Sequence, residues 1–271
     1  MSFRACEEAK DMELATTMSK QRLKRIQAGR LVREVLWTPA YPCDIPRARE
    51  AKEKTTSAAR AKINSRQRWQ KLQLILAANF AGSDWFVTLT YDDEHLPGTR
   101  VQAKARLDRF VRELRQVCRA RGFDLRYCKC TEGEHGDERL HHHIVLTVEG
   151  LTLEDLVSLW PDGNVDYEPL EQWGYAYLAQ YMTKEATNGR TRVGEHAYSP
   201  SRKLKKPVIE PSQWVSGSVR LEPPAGSHVL LAERLDNEFG RYEYLEYLLP
   251  ETPKAVKVRP KARPMPEAVS A

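Results

Sequence analysis

The chain of 271 residues contains no long apolar run. Its longest uninterrupted one is Leu74-Ile75-Leu76-Ala77-Ala78, far short of the roughly 18–20 residues that cross a bilayer. The first twenty residues, MSFRACEEAKDMELATTMSK, hold no apolar core of the secretory kind, so a cytoplasmic protein without a membrane partner is expected. Cysteine is sparse and odd in number (Cys6, Cys43, Cys118, Cys128, Cys130), which argues against a disulfide framework. Cys128-x-Cys130 has no second pair to complete a structural zinc site. No GxxxxGK[ST] loop is present, and an ATP-driven motor has no support. Apolar residues make up 41 %, below the roughly 45–50 % of ordinary soluble domains, so part of the chain is expected to lie outside a packed core.

Positive charge is abundant. Lys and Arg number 43 against 37 Asp and Glu, a net charge of +6, and such an excess suits a polyanionic partner. It is concentrated upstream, where Arg47, Arg49, Lys52, Lys54, Arg60, Lys62, Arg66, Arg68 and Lys71 face only Glu50 and Glu53. From residue 57 to residue 80 the pattern predicts a basic helix whose C-terminal half docks on a core. An earlier basic patch, Lys20, Arg22, Lys24, Arg25, Arg30 and Arg33, also reads as helical, ending before the proline-containing loop TPAYPCDIP. Residues 1–80 are thus expected to form a basic helical N-terminal extension.

The middle of the chain carries the clearest periodicity. Trp85 to Tyr91 alternates as a strand, and Leu107, Phe110, Val111, Leu114 and Val117 mark an amphipathic helix ended by Gly122. Phe123, Leu125 and Tyr127 suggest a second strand, followed by a polar turn from Thr131 to Arg139. Leu140 to Val148 suggests a third strand. A short helix around Leu153 to Trp160, a strand at Asn164 to Tyr167 and a helix from Leu170 to Ala186 complete residues 81–190. The order predicts an α+β fold with an antiparallel sheet and helices mainly on one face. Residues 191–271 read as a basic C-terminal region, and the last twenty or so as a disordered tail.

Two clusters could carry chemistry. His141 and His143, two apart on a strand, project from the same face. Glu134 could complete an open shell of two imidazoles and a carboxylate suited to metal catalysis, with Mg²⁺ or Mn²⁺ as the best fit; the alternative is a polar patch at a sheet edge. On a helix, Tyr177, Tyr181 and Lys184 share a face, an arrangement that is commonly structural and gains chemical meaning beside a metal site. A phenol has a pKa of about 10 and is a poor nucleophile at neutral pH. A divalent ion gripping a phosphate oxygen, with Lys184 neutralising charge, would let tyrosine attack a phosphodiester.

Trp85-Phe86-Val87-Thr88-Leu89-Thr90-Tyr91-Asp92-Asp93-Glu94-His95-Leu96-Pro97, then Glu134-His135-Gly136 with Arg139-Leu140-His141-His142-His143, then Tyr177-x-x-x-Tyr181-x-x-Lys184 resemble the three ordered motifs of the HUH rolling-circle replication initiators of phages and plasmids. The resemblance spans roughly residues 85–190. It implies a ferredoxin- or RRM-like HUH endonuclease fold and a metal-dependent enzyme, acting in the host bacterial cytoplasm, that nicks one strand at an origin. Such an enzyme stays linked through a 5′-phosphotyrosine, leaves a 3′-OH primer and later rejoins the strand. It also implies His141, His143 and Glu134 as metal ligands, Tyr177 and Tyr181 as nucleophiles and Lys184 as the trailing lysine. His142 occupies a usually hydrophobic position, and Gln180 one that is often basic. Single-stranded or origin DNA would be the partner, with a host helicase as a further candidate. Arg60, Lys62, Arg66 and Arg68 would contact the DNA backbone, and Trp69 or Trp173 would stack on bases. A relaxase or single-strand transposase shares this chemistry; a non-catalytic single-stranded nucleic-acid binder is the reading from a different class.

Overall fold

A computed structural model describes residues 20–38, 58–133, 139–170, 173–184, 196–237 and 240–251. The elements in chain order are β1 (Lys20–Ala28), β2 (Leu31–Trp37), α1 (Ala58–Asn79), β3 (Trp85–Thr90), α2 (Arg100–Ala120), β4 (Tyr127–Glu132), β5 (His141–Leu146), α3 (Leu153–Leu159), β6 (Val165–Pro169), α4 (Ala176–Tyr181), β7 (Ser199–Pro200), β8 (Val208–Ile209), β9 (Gln213–Ser216), β10 (His228–Asn237) and β11 (Gly240–Leu248). The fold is α+β, as expected from the sequence, but it contains two antiparallel sheets rather than one.

The central sheet runs β6-β3-β5-β4-β7 with every pairing antiparallel. Its β5 lies between β3 and β4, so the three histidines stand near the middle of the sheet. Strand alternation sends Val87, Leu89, Ile144 and Leu146 to one face, against Leu107, Phe110 and Leu114 of α2 and Leu156 of α3. Cys128, Cys130 and Val145 face the other way, against Leu72 and Leu76 of α1 and Ala179 of α4. The helices, expected mainly on one face, therefore divide between both. Helix α2 starts where the Thr99 side chain accepts a hydrogen bond from the Gln102 amide, and α3 where Thr152 and Asp155 form a capping box.

The first basic patch is corrected by the structure. Lys20, Arg22, Lys24, Arg25 and Arg33 lie on the β1–β2 hairpin and Arg30 in its turn, not on a helix. Its partners come from the far end of the chain: β11 pairs β2, with Trp37 opposite Tyr242, and β8 and β9 pair β1. Residues 199–248 thus contribute strands where a tail-like region was expected, and the last twenty residues lie outside the described ones. The second expected strand also shifts, because β4 begins only at Tyr127 and continues through Thr131 and Glu132, which had read as a turn.

Helix α1 joins the two sheets. Its Leu72 and Leu76 pack on the central sheet, while Leu74 packs with Ala28, Leu31 and Leu248 of the second. The hairpin turn presses on this helix at Gly29, whose φ is +58° and where a Cβ would lie 2.3 Å from the Ala77 carbonyl oxygen, so glycine is required there. Fully buried Gln73 of α1 accepts from Arg33 at 2.7 Å and donates to Glu246 at 2.6 Å and to the Gly174 carbonyl at 2.9 Å. One amide thereby ties the second sheet to the turn that launches α4.

Candidate metal and tyrosine site

Sheet register builds the site. On β5, His141 and His143 point to the face shared with α4, and His142 points to the opposite one. Across the β4–β5 ladder His141 pairs with Glu132 and His143 with Cys130, and directly paired residues share a face. Glu132, 1 % exposed, consequently places Oε2 at 3.3 Å from His141 Nε2 and 3.4 Å from His143 Nε2. From the other side Lys184 brings its Nζ to 2.7 Å of the same oxygen. The Tyr181 hydroxyl lies 3.2 Å from His143 Nε2, and Lys184 Nζ sits 4.1 Å from the centre of the Tyr181 ring.

The turn before α4 sets these positions. Gly174 has φ +81° and Tyr175 φ +60°, a left-handed pair that interrupts the helix expected from Leu170 and leaves only Ala176–Tyr181 helical. Tyr175 is held in this conformation by its hydroxyl, which donates to the Phe80 carbonyl at 3.1 Å. Tyr181 then stands edge-on to Phe86 and to His143.

The electrostatics are those of converging acceptors. His141 Nδ1 lies 2.8 Å from the Arg139 carbonyl oxygen, which can only accept, so Nδ1 carries the proton and neutral His141 turns an Nε2 lone pair toward Glu132. His143 is oriented by Thr88, whose Oγ1 is 3.1 Å from Nδ1. Burial pushes the Glu132 carboxyl up, but hydrogen bonds from His141, His143 and Lys184 more than reverse this and hold it well below the usual carboxylate range. Burial lowers His141, yet Glu132 outweighs it and the net shift is upward. His143 shifts downward, chiefly through burial. Tyr181 is raised by burial and by the Glu132 charge. Lys184, despite burial, is raised by Glu132 and is an ammonium. Glu132 Oε1 accepts no hydrogen bond among the described residues.

Ligand atoms of Glu132, His141 and His143 lie within 4.8 Å of one another and could hold a metal ion. The chemistry of the set fits a hard or borderline divalent cation. It offers one carboxylate and two imidazoles whose outer nitrogens are oriented by a carbonyl and a hydroxyl, and a cation among the facing lone pairs would relieve their repulsion. The sequence-derived residues His141, His143, Tyr181 and Lys184 come together here. Tyr177 lies on α4 but is 80 % exposed. Glu134 lies outside the described residues, and the carboxylate at the cluster is Glu132, which the sequence reading missed. His142 belongs to the other face, fully buried between the Tyr91 hydroxyl at 2.7 Å and Thr131 Oγ1 at 2.9 Å; burial lowers its pKa to about 3. On α1, Lys62 and Arg66 are exposed and Arg68 is half-buried; the side chain of Arg60 is outside the description. Trp69 is half-buried against the α1–α4 core, and Trp173 is 63 % exposed beside His228. No helix among the described residues is long and apolar enough to cross a membrane.

An antiparallel α+β sheet presenting two imidazoles and a carboxylate to a tyrosine–lysine helix defines an HUH-like protein. Residues 84–186 match the family model for replication-associated proteins of the ORF2 type, and this part of the chain, which holds the whole cluster, belongs to that family of phage replication initiators. Replication-associated protein VP4 of Bdellovibrio phage phiMH2K is 28 % identical over 153 residues, covering 48 % of this chain and 47 % of that relative; the chain thus spans about half the length of the relative it matches. No solved structure matches.

Proposed function

We propose that this chain nicks one strand of DNA at a replication origin by attack of Tyr181 on a phosphodiester, and later reverses the step to rejoin the strand. The observation that carries this reading is the Tyr181 hydroxyl 3.2 Å from His143 Nε2, in the same cluster as His141, Glu132 and Lys184. The phenolic oxygen would form a bond to phosphorus while the P–O3′ bond breaks. The phenol gives up its proton, the departing O3′ takes one, and a 5′-phosphotyrosine and a 3′-OH result. Because the energy of the phosphodiester is kept in the adduct, the 3′-OH can attack it in return.

Glu132, His141 and His143 would hold Mg²⁺ or Mn²⁺, which when bound supplies Lewis-acid polarisation of a phosphate oxygen. The protein's own groups do the rest. Phe86 and His143 fix the plane of the Tyr181 ring, and the raised Tyr181 pKa means that the phenol reacts from its neutral form, losing the proton as the bond forms. Lys184, kept charged by Glu132, stands over the same ring, where it offsets the negative charge gathering on the reacting oxygens. Exposed Tyr177, one turn earlier on α4, is placed for a second transfer rather than the first.

A single-stranded origin oligonucleotide incubated with the chain and Mn²⁺ tests this through a denaturant-resistant adduct and its mapped peptide. Tyr181→Phe is expected to abolish the first adduct, and Tyr177→Phe to retain it. An adduct that survives in the double phenylalanine variant removes these tyrosines from the mechanism.

A further inference from the structure

The second sheet lies outside residues 84–186, and its two faces differ. One is covered: Val32, Leu245 and Tyr247 pack with Leu221 and Leu249, while Glu34 and Glu243 on that side meet Arg25 and Arg234. The other is covered by α1 only at one end, where Ala28, Leu31 and Leu248 meet Leu74. Beyond the helix, register lines up Tyr242, Trp37, Arg22 and Trp214 as direct neighbours on β11, β2, β1 and β9. Strands are spaced at about 4.8 Å, so this row extends about 14 Å across the sheet.

The row alternates flat rings and positive charge. Trp214 is 57 % exposed, and the Arg22 guanidinium lies 4.8 Å from its ring centre, held there by a 2.5 Å hydrogen bond to Ser212. Trp37 and Tyr242 are half-buried, each with part of its ring open. The next row pairs Tyr244 with Val35 and Val35 with Lys24, and the Tyr242 and Tyr244 rings are within 13° of parallel at 6.3 Å. Lys20 is exposed on the same face, two residues beyond Arg22. The acidic residues registered here are Glu246, paired with Arg33 under α1, and Glu233 on outer strand β10. Rings with open faces set among cations at strand spacing are what unpaired bases and their phosphates bind, with little regard to sequence. Duplex DNA, its bases already stacked, could use only the cations.

We propose that this aromatic and basic face of the second sheet, centred on Arg22, Trp37, Trp214 and Tyr242, is a stacking platform for single-stranded DNA, separate from the metal and tyrosine site. The proposal rests on the functional reading only in that the strand held here would be the one cut or displaced at α4. Binding at the platform requires neither metal nor cleavage.

The test measures affinity of the full chain for fluorescent oligothymidylate by anisotropy, with divalent cations chelated so that no adduct forms. Oligouridylate and a duplex of equal length serve as comparison ligands. Trp214→Ala is expected to weaken oligothymidylate binding about five- to hundred-fold, the cost of one lost base stack, and duplex binding much less. Arg22→Ala is expected to lower the salt slope for the single strand by about 0.7, the share of one phosphate contact. Because Trp214 is largely exposed, its variant should melt close to the parent, and melting curves check this. Unchanged affinity in the Arg22→Ala/Trp214→Ala double variant overturns the platform, as does equal loss on duplex or tighter binding of oligouridylate than of oligothymidylate. Failure of the tyrosine mechanism would appear separately, as an adduct persisting without Tyr181 while oligothymidylate affinity still depends on Trp214.

Discussion

Replacing Glu132 by Gln distinguishes the carboxylate that register places beside the histidines from the one that sequence spacing suggested. Without divalent cations the change should cost little. It removes the ion pair with Lys184, whose side chain is 33 % exposed and can turn to water, and it also removes a buried negative charge. The two effects nearly offset and leave a net within about 1 kcal/mol. With Mn²⁺ the outcome differs. A cation at about 100 times its Kd stabilises the parent by about 2.7 kcal/mol, and at roughly 2–4 °C per kcal/mol for a domain of this size the melting temperature rises by about 5–10 °C. Removing one of three protein ligands weakens binding by at least the roughly 10–100-fold that loss of an outer-sphere partner causes. The remaining stabilisation is then about 0.4–1.4 kcal/mol, a rise of only about 1–5 °C. Glu134→Gln should keep the full shift. Differential scanning fluorimetry across a Mn²⁺ titration reads all three proteins. A Glu132→Gln variant with the full rise, or a Glu134→Gln variant without it, refutes the assignment.

Two further outcomes follow from the packing. Buried His142 resists protonation until pH falls to about 3, whereas in the unfolded chain it protonates near 6.5. The unfolded state therefore takes up the proton first as pH falls, so this contribution to stability is complete above about pH 6.5 and is lost progressively below it. Urea unfolding between about pH 5 and pH 7 should show that slope, and His142→Gln should flatten it; an unchanged slope in the variant would contradict the assignment. Gly29→Ala places a methyl group against the Ala77 carbonyl at a left-handed φ, for an expected loss of about 2–4 kcal/mol from strain and overpacking together. A shift in urea midpoint worth less than about 0.5 kcal/mol would mean that the hairpin does not press on α1 as described.

What could be read from the sequence depended on how far apart the interacting residues are. Strand β3, helix α2, strand β5, helix α3 and strand β6 announce themselves through their own periodicity, since each buries a face that its sequence alone defines. The β1–β2 hairpin does not. One of its faces is open beyond α1 and carries Lys20, Arg22 and Lys24, so its apolar alternation is broken and the basic residues suggest a helix instead. Its stabilising partner, β11, lies some two hundred residues away, and the pairing of Trp37 with Tyr242 is not encoded in any local window. The same holds for residues 199–248, whose short, exposed strands β7, β8 and β9 become legible only once β1 and β4 exist to receive them.

The site shows the same division at finer scale. Alternation along one strand is sufficient to separate His141 and His143 from His142, and the Tyr181 to Lys184 spacing is local to one short segment. Choosing the carboxylate is different, because Glu132 and Glu134 are two residues apart and would share a face in any extended strand, so parity cannot decide between them. Hairpin register can: Cys130 opposes His143, Thr131 opposes His142, and Glu132 opposes His141 in the last pair of the ladder. Reading Thr131 as the start of a turn ended β4 one pair too early and passed the role to the next acidic residue along. Cys128, Lys129 and Cys130 extend the strand into Thr131, whose hydroxyl meets His142 on the opposite face. The buried His142 contact and the carboxylate beside His141 and His143 are therefore set by a single structural choice, the continuation of β4 through Glu132, and a variant that shifts this register should disturb both faces of the sheet at once.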